Sequence, residues 1–471
     1  MNRKKMKKMG YILITIVLVY LIALFSPYLF DREVSQDYAD AFDTSRFYSD
    51  TPSGERAMII EDNGNALEER LRLIANAKNS IILSTFDFQS DTSGKQILAA
   101  LQNAAFRGIN IQIIVDGYSA FAQLTGNPYF YALSSAPEVT IKVYNPVNFL
   151  KPWNLMSRMH DKYLIVDETY YISGGRNTYD YFLGAQDGHK NLDRDLLVVS
   201  EKASSGSVQQ LLTYFNRQWN QTTCKIWHSS LYPWEKNKTK EAANELKEIY
   251  KNIKIQHSDW LKNKDYTMIT VPVNQITLLS NPIEVGNKEP YVFYGLTQLM
   301  QDSSEEIVIH TPYIICNKTM YQNFSSLISA GKHITLMTNS IQNNGNPFGS
   351  IDYLLHKRQI LDTGLNVLEY EGGISYHGKS ILIDNRISII GSFNMDIKSY
   401  SQDTELMLVV DSPELNEQLK NNFLSYHEDS VLADINPDEE WLELLSKNNS
   451  PGRKILLYLI KWIDPVARRL F

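Results

Sequence analysis

The sequence predicts an α/β protein built from two similar halves that share one site. Strand-like and helix-like segments alternate along both halves of its 471 residues, which is typical of layered folds with largely parallel sheets. One polar pattern also occurs twice, at residues 158–177 and 375–394. This duplication predicts a pseudo-twofold axis that sets the two copies face to face across a single cleft. Neither half is therefore expected to be active alone.

The composition is that of an ordinary globular protein, with 43% hydrophobic residues, 21% charged residues and a net charge of −7. This acidic balance argues against a nucleic-acid partner, because proteins that bind nucleic acid usually carry a basic surface. Two cysteines, Cys224 and Cys316, are too few for a disulfide scaffold or a zinc site, and the sequence leaves open whether they pair. No metal or cofactor is expected, and no pattern indicates an oligomeric state.

Residues 1–30 predict a basic cytoplasmic start and one membrane-spanning helix. No charged residue occurs from residue 9 to residue 30, and about 20 such residues cross a bilayer. Basic residues precede this run and acidic residues follow it, so the positive-inside rule predicts a single-pass cell-membrane protein with its catalytic part outside the cytoplasm. A cleaved signal peptide is the alternative, although the small-x-small motif Ala39-Asp40-Ala41 lies far from the apolar run.

The rest of the chain is predicted to contain a linker at 31–56, a first half at 57–223, a peripheral inter-repeat segment at 224–287, a second half at 288–432 and a tail at 433–471. In the first half, predicted helices at 65–77 and 94–107 alternate with strands at 80–88 and 109–115. In the second half, helices at 294–300 and 319–330 alternate with strands at 306–313 and 333–338. The common plan supports an internal duplication.

The repeated pattern reads His, one residue, Lys, four residues, Asp, six residues, a glycine turn, one residue, Asn. Apolar runs follow both lysines, and alternate residues of an extended strand face the same side, so each histidine lies beside its lysine. The glycine turns return the asparagines to the same region. Each copy therefore offers an imidazole, an ammonium and a carboxamide: His160, Lys162 and Asn177 in the first, and His377, Lys379 and Asn394 in the second.

These groups suit displacement at a phosphorus atom. Two imidazoles can divide the work, one attacking as a neutral nucleophile and the other donating a proton to the leaving group. Two lysines and two amides around a tetrahedral anion stabilise the charge that develops on its oxygens, without a metal ion.

The two motifs resemble the HKD motifs of the phospholipase D superfamily. The flanking stretches NLMSRMHDK, ISGGRNTYDYF and GSFNMDIKSYSQDTELMLVVDSP are similar to its bacterial cardiolipin synthase branch. The resemblance covers most of the chain after about residue 50. It implies a two-step mechanism in which His160 forms a phosphohistidine with the phosphatidyl group and His377 acts as acid and then as base. The two roles could also be reversed.

The resemblance implies phospholipid substrates, such as phosphatidylglycerol, and a phosphatidyltransferase that makes cardiolipin. A hydrolytic phospholipase D remains the alternative, since both reactions share the first step. A phosphodiesterase of nucleic acids is disfavoured by the acidic composition and the predicted anchor. A non-catalytic membrane scaffold is disfavoured by the two intact motifs.

Each imidazole also needs a carboxylate that fixes its tautomer. Glu405, which begins ELMLVV, and Asp195, which begins DLLVV, are the predicted orienting acids of their halves, and Asp193 is the alternative in the first half. Asp167 and Asp384, the last residues of the HKD motifs, stand five residues beyond the lysines and are expected to tie down turns rather than to touch phosphate.

The sequence leaves open the roles of four further groups of residues. Arg158 and Arg176, near the first motif, are predicted either to select between donor and acceptor lipids or to be solvated. The aromatic residues Trp227, Tyr232, Trp234 and Trp260 are predicted to pack half-buried or to form a lipid-entry rim. Residues 338–350 are expected to form a loop near the cleft. The tail is predicted to contain an amphipathic helix whose Lys454, Lys461 and Arg468 face either an anionic bilayer or water.

Overall fold

The chain folds into two large mixed sheets with helices around them. A computed structural model describes residues 3–200, 206–228, 231–435, 437–447 and 450–470. Within these ranges the strands are, in chain order, β1 (Glu55–Ile60), β2 (Ser80–Thr85), β3 (Asn110–Asp116), β4 (Val139–Tyr144), β5 (Tyr163–Val166), β6 (Tyr170–Gly174), β7 (Asn191–Leu192), β8 (Asp195–Ser200), β9 (Cys224–Ile226), β10 (Val271–Val273), β11 (Gln275–Ser280), β12 (Ile307–His310), β13 (Ile314–Ile315), β14 (Ile334–Asn339), β15 (Asn366–Tyr370), β16 (Ser375–Tyr376), β17 (Ser380–Ile383), β18 (Ile387–Gly391), β19 (Met395–Asp396), β20 (Leu406–Asp411) and β21 (Ser430–Leu432).

The helices connect these strands and cover the sheets. In the same ranges they are α1 (Arg3–Phe25), α2 (Gln36–Ala41), α3 (Asn63–Asn76), α4 (Thr92–Phe106), α5 (Gly117–Ser119), α6 (Pro128–Ser134), α7 (Ser207–Trp219), α8 (Lys236–Gln256), α9 (Tyr291–Asp302), α10 (Lys318–Ser329), α11 (Pro347–Leu361), α12 (Ile397–Ser401), α13 (Pro413–His427), α14 (Pro437–Lys447) and α15 (Pro451–Ala467). Short 3-10 turns lie at Ser26–Tyr28, Thr44–Phe47, Pro152–Asn154, Ser258–Leu261, Tyr266–Met268 and Arg468–Leu470.

Polar caps set where several of these helices begin. The Asp62 carboxylate accepts a hydrogen bond from Asn65 N (2.8 Å) and the Asp91 carboxylate from Gly94 N (3.1 Å), so α3 and α4 begin two residues before the predicted starts. In the second half, the Asn317 side chain accepts from Met320 N (2.9 Å) at the start of α10. Each cap satisfies a backbone N–H that the first turn of a helix leaves without a partner.

Apart from the additional edge strand β10 of the first sheet, the two large sheets have equivalent strand orders, which confirms the predicted duplication. The first sheet runs β10-β1-β8-β6-β5-β2-β3-β4-β9 and the second runs β11-β20-β18-β17-β12-β14-β15-β21. In the first sheet β2, β3 and β4 are parallel, as are β12, β14 and β15 in the second, while the other neighbours are antiparallel. The mixed α/β architecture with two similar halves is thus the one that the sequence predicts.

A shared apolar core joins the halves. It combines side chains from the inner faces of both sheets, such as Ile165 and Leu408, with residues of α7 and α13. A separate outer core lies under the helices of each half. Helix α7, from the first half, packs on β11 of the second sheet, and α13, from the second half, packs on β1. Because each half buries apolar surface of the other, the two form one folding unit.

Two segments are more integrated than the sequence suggests. The predicted linker at 31–56 packs on the second half, where Phe47 is fully buried in the core beside Leu279 and Tyr38 stacks on Tyr291 at 3.7 Å. The predicted peripheral segment at 224–287 supplies β9 and β10 to the first sheet and β11 to the second. Short apolar strands inside polar stretches carry too weak a periodic signal to stand out.

The aromatic residues of that segment are divided between packing and exposure. Trp227 stacks on Tyr131 at 5.1 Å and Trp260 stacks on His257 at 3.8 Å, as expected for packed rings. Tyr232 and Trp234 instead stack on each other and are 58% and 73% exposed. Both cysteines are buried and free.

At the N-terminus, α1 is long and apolar enough to cross a bilayer. The apolar stretch extends over 24 residues, from Lys5 to Tyr28, and none of its most apolar window is buried against the protein. Its end packs on the turn Pro152–Asn154, but a helix that is apolar on all sides and leaves the rest of its surface uncovered is stable only in an apolar solvent. This supports association of the chain with a membrane.

Candidate active site

The two motif copies lie in extended segments immediately before β5 and β17. Short backbone pairings tie each segment to the opposite half: Met159 bridges Thr404, and β16, just before His377, pairs with β7 of the first half. His160 N donates to Thr404 O (3.2 Å) and His377 N donates to Leu192 O (2.6 Å). The halves therefore meet at the histidines themselves, and both copies form one site.

Each histidine is completed by a carboxylate from the other half. His160 Nδ1 lies 2.9 Å from Glu405 Oε1, and His377 Nδ1 lies 2.6 Å from Asp193 Oδ2. Both carboxylates are fully buried, whereas the imidazoles are 13% and 20% exposed. Because Nδ1 is held by the acid, Nε2 of each ring is left to face a substrate.

The predicted orienting acid Asp195 does not contact either imidazole. Its carboxylate pairs with Arg70 (2.9 Å) and Arg176 (3.2 Å) in the interior. Register explains the error: Gly174 pairs with Asp195, while Gly391 pairs with Met407. The residue that corresponds to Glu405 is therefore Asp193, two positions earlier, and each acid serves the opposite half rather than its own.

The two lysines flank the histidines inside the cleft. Lys162 Nζ donates to His160 O (2.5 Å), and Lys379 Nζ lies 2.6 Å from His377 Nδ1. Both lysines are almost completely buried, with 3% and 1% exposure. Two buried ammonium groups at the junction of the halves make this a site for an anion.

The asparagines are held next to the same junction. Asn177 Oδ1 accepts a hydrogen bond from Asp87 N (3.3 Å), and Asn394 Nδ2 donates to Tyr313 Oη (3.2 Å). Asn394 Oδ1 is buried and has no hydrogen-bond partner among the described residues. Tyr313, which the sequence reasoning did not single out, thus positions one of the predicted amides.

Burial and neighbouring charges favour neutral imidazoles. Burial, together with Lys162 and Lys379, lowers the pKa of His160 well below its usual value, and burial with Lys379 lowers the pKa of His377 to about 4. Burial also lowers the pKa of Lys162 to about 7 and that of Lys379 to about 8. At neutral pH and without an anion, the two imidazoles are therefore neutral, Lys162 is about half protonated and Lys379 keeps most of its charge.

The two carboxylates differ in their charge. Burial raises the pKa of Glu405 to about 7, against the lowering influence of Lys162. Burial also raises the pKa of Asp193, but Lys379 and His377 lower it more and hold this pKa well below its usual value. At neutral pH, His377 thus faces a fully ionised carboxylate, whereas His160 faces a group close to its titration midpoint.

The second residue of the glycine turn differs between the two halves, and it contacts the acid of its own half: Ser392 contacts Glu405 and Gly175 lies against Asp193. The hydroxyls of Ser392 and Ser399 both donate to Glu405, the latter at 2.7 Å. Gly175 takes the place of Ser392 in the first half, and a Cβ there would lie 2.3 Å from Asp193 Oδ1. The Gly-Gly and Gly-Ser difference between the copies therefore matches the acid that each turn must hold.

Asp167 and Asp384 lie in the turns after β5 and β17, as expected for them. Both have positive φ, 54° and 53°. Asp167 accepts hydrogen bonds from the backbone of residues 78–80, and Asp384 accepts from Ser303 and from the backbone of residues 304–306. Their carboxylates anchor the loops that precede β2 and β12.

The arginines near the first motif are structural rather than solvated or substrate-facing. Arg158 is fully buried, donates to Asn145 O (3.0 Å) and lies 3.5 Å from Asp116. Arg176 is also buried and donates to the carbonyls of Ile60 and Glu61. A buried guanidinium needs partners, and most of those found here, such as Asn145, Asp116, Ile60 and Glu61, come from distant segments that sequence spacing does not reveal.

Sequence reasoning missed several residues that shape the cleft. The ring of Phe86 lies 5.4 Å from that of His160, and the ring of Phe182 lies 4.9 Å from that of His377. Asn339 donates to Tyr376 O (2.7 Å) and accepts from Tyr376 N (2.7 Å), which fixes the backbone just before His377. Asn339 lies near the start of residues 338–350, the loop expected near the cleft. In the same loop, Gly345 N donates to Ser375 Oγ (3.1 Å).

Comparison with known proteins agrees with this geometry. The family described as "Cardiolipin synthase, PLD-like domain" matches residues 71–219 and 296–427, which include both motifs. The chain belongs to the phospholipase D superfamily. The two matched segments correspond to its two phospholipase D-like halves.

Individual relatives match at low identity over most of their length. Cardiolipin synthase C of Escherichia coli (strain K12) is 25% identical over 415 residues, which cover 79% of this chain and 85% of that protein. Cardiolipin synthase 1 of Staphylococcus epidermidis (strain ATCC 12228 / FDA PCI 1200) is 24% identical over 376 residues, or 79% of this chain and 68% of that protein. An uncharacterized protein of Helicobacter pylori (strain ATCC 700392 / 26695) is 24% identical over 469 residues, which cover 89% of this chain and 90% of that protein.

A solved structure shares the fold of this phospholipase D-like chain. The crystal structure of a phosphatidylserine synthase from Haemophilus influenzae Rd KW20 superposes with a TM-score of 0.63 at 16% identity and covers 88% of this chain and 95% of that one. At this identity the match supports the two-half architecture.

The exchange of acids between halves predicts different defects for two neighbouring aspartates. Asp193→Asn should lower the rate of phosphodiester cleavage by about 100-fold or more, because His377 loses the charge that stabilises its imidazolium. Asp195→Asn should instead destabilise the fold by about 3 to 5 kcal/mol, since Arg70 and Arg176 lose a buried counterion. Enzyme assays and thermal melting of both variants check this. A similar loss of melting temperature in both, without a kinetic difference, would contradict the assignment.

Proposed function

We propose that this chain is a phosphatidyltransferase that forms cardiolipin by moving a phosphatidyl group from one phospholipid onto the headgroup hydroxyl of phosphatidylglycerol. The observation that supports this most directly is the pair of complete His, Lys and Asn sets at one junction, each histidine paired with the acid of the other half. The cardiolipin synthases among the relatives and the apolar helix α1 favour a membrane phospholipid as substrate.

In the first step, His160 Nε2 attacks the phosphorus atom and the bond to the leaving headgroup oxygen breaks. His160 is the better nucleophile because its imidazole is neutral and its Nδ1–H is held by Glu405. His377 is neutral in the free enzyme, but the bound phosphate anion and the ionised Asp193 both favour its protonation, and as an imidazolium it donates the proton that the leaving alkoxide needs. The product is a phosphatidyl group on His160.

In the second step, His377 accepts the proton of the incoming hydroxyl, whose oxygen attacks phosphorus and displaces His160 Nε2. Lys162 and Lys379 neutralise the non-bridging phosphoryl oxygens in both steps, and Asn177 and Asn394 are placed to donate to the same oxygens. An anion between the lysines raises their pKa values and keeps them charged while it is bound. Water as the acceptor would make the same residues a hydrolase.

We also propose that the N-terminus lies in the cytoplasm and the catalytic part outside it, because basic residues precede α1 and acidic residues follow it. Protease added to intact spheroplasts should then degrade the catalytic part. Protection until the membrane is permeabilised would reverse the orientation.

The central test is a lipid profile of membranes from a bacterial host that lacks its own cardiolipin synthases. Cardiolipin should accumulate with the full-length chain and with the control variant His257→Ala, which alters a surface ring stacked on Trp260. It should be absent with His160→Ala, which removes the nucleophile. Phosphatidic acid in place of cardiolipin would indicate a hydrolase, and no lipid change at all would favour another phosphodiester substrate or a non-catalytic role.

The lowered lysine pKa values predict the alkaline side of the pH profile. As pH rises through the pKa values of about 7 for Lys162 and about 8 for Lys379, the free enzyme loses the charges that bind phosphate. The loss at Lys379 alone should lower kcat/KM about 10-fold from pH 7 to pH 9, and the loss at Lys162 adds to this fall. In Lys379→Arg the guanidinium stays protonated, so this fall should be smaller although the overall rate is lower. An unchanged alkaline fall in Lys379→Arg would assign it to another group.

A further inference from the structure

Helix α15, near the C-terminus, presents an apolar face to solvent. Five large side chains are exposed there: Ile455 (61%), Leu456 (47%), Leu459 (56%), Trp462 (84%) and Ile463 (46%). At about 100° per residue these positions fall within one arc of the helix surface. A surface helix of a soluble protein buries such a face against its core. An apolar face that is exposed instead indicates a surface that binds another molecule or a membrane.

The opposite face of α15 is fixed to the second half. Leu457 and Ile460 are buried, Asp464 Oδ2 lies 3.4 Å from His356 Nε2, and Arg468 Nε donates to Asp352 Oδ2 (2.9 Å). The helix cannot roll its apolar arc onto the protein without breaking these contacts.

The helix is docked on the protein, as one of the two sequence-based alternatives has it, but two of its three predicted basic side chains do not face water or a bilayer. Lys461 Nζ lies 4.3 Å from the centre of the Trp441 ring, and Arg468 is paired with Asp352. These two basic side chains are therefore engaged with the protein, and the outward face is apolar. Such a face matches acyl chains better than it matches charged headgroups.

The end of α15 is attached to the point where the apolar helix α1 enters the protein. Arg469 Nη1 donates to Tyr28 O (2.9 Å) and to Asp31 Oδ1 (2.8 Å). Tyr28 Oη in turn donates to Trp153 O (3.1 Å). The base of α1, the end of α15 and the loop around Trp153 thus form one junction.

A second apolar cluster surrounds this junction. Phe149 is 60% exposed, Leu150 86% and Trp153 46%, and the ring of Phe121, 59% exposed, lies 6.0 Å from that of Phe149. Exposed apolar side chains beside the exit of a membrane-spanning helix lie at the depth of the bilayer interface. We call these four residues and the exposed face of α15 the docking surface.

We propose that the docking surface lies in the interfacial layer of the bilayer that α1 crosses, so that the protein rests on the membrane at two places besides its anchor. The occupant of this surface is the lipid bilayer itself. The docking surface is linked to the first motif, since the ring of Tyr118, in α5 and three residues before Phe121, lies 4.5 Å from the guanidinium of Arg158, two residues before His160.

Lipid contact can be measured on the full-length chain in vesicles of phosphatidylglycerol and phosphatidylethanolamine that contain doxyl-labelled lipid. An environment-sensitive fluorophore is attached to Trp462→Cys, to the span control Leu18→Cys and to the matched control Phe106→Cys. Phe106 is 68% exposed and ends α4 just before β3, at the opposite end of that strand from Asp116, whose carboxylate accepts a hydrogen bond from Met159 N beside His160. The native thiols are buried, and burial raises the pKa of Cys224 to about 11, so they compete little for the label.

We expect doxyl lipid to quench the fluorophore at positions 462 and 18 strongly and at position 106 weakly. Quenching at 462 no greater than at 106, while position 18 is quenched, would overturn the proposal. Cross-linking of Trp462→Cys into dimers would also overturn it, because the face would then belong to a second copy. The measurement does not require enzymatic activity, so it stands apart from the proposed function.

Discussion

The structure depends on one interaction: each motif histidine is completed by a carboxylate that the other half supplies. Glu405 stands directly before β20 and Asp193 stands two residues before β8, and these two strands occupy equivalent positions in the two sheets. Separating the halves would break both acid–imidazole pairs and expose the shared core. The catalytic constellation and the association of the halves are therefore the same structural constraint.

The duplication is symmetric in backbone but not in charge. The first half supplies an aspartate and a glycine turn to His377, and the second supplies a glutamate and a serine turn to His160. The strongly ionised Asp193 favours a histidine that gains and loses a proton, whereas the titratable Glu405 favours one that stays neutral and attacks. A duplicated site can therefore assign different tasks to identical residues through the acids behind them.

The sequence is informative where contacts are local. The spacing of His160 and Lys162 depends only on extended backbone, and the alternation of strands with helices predicts the architecture. Contacts between distant segments were not accessible. Two acids, Asp193 and Asp195, stand in the same short stretch, and only the pairing of β8 with β6 shows which one reaches an imidazole. Likewise, no residue near Arg158 in sequence indicates that its buried ion-pair partner is the carboxylate of Asp116.

The proposed lipid contact follows from the energetics of the substrate. Removing a phospholipid from a bilayer exposes its acyl chains at about 0.8 kcal/mol per CH₂ group, which for two long chains exceeds what a polar cleft can return. A cleft that works on phosphodiesters of such lipids must therefore lie at the interface, with the chains left in the membrane. The contacts from Arg469 to Tyr28 and Asp31 join the apolar face of α15 to the base of α1, so the anchor and the interfacial helix share one orientation. A flexible tether would bring the enzyme near the membrane, but only a fixed pair of contacts directs its cleft toward the headgroups.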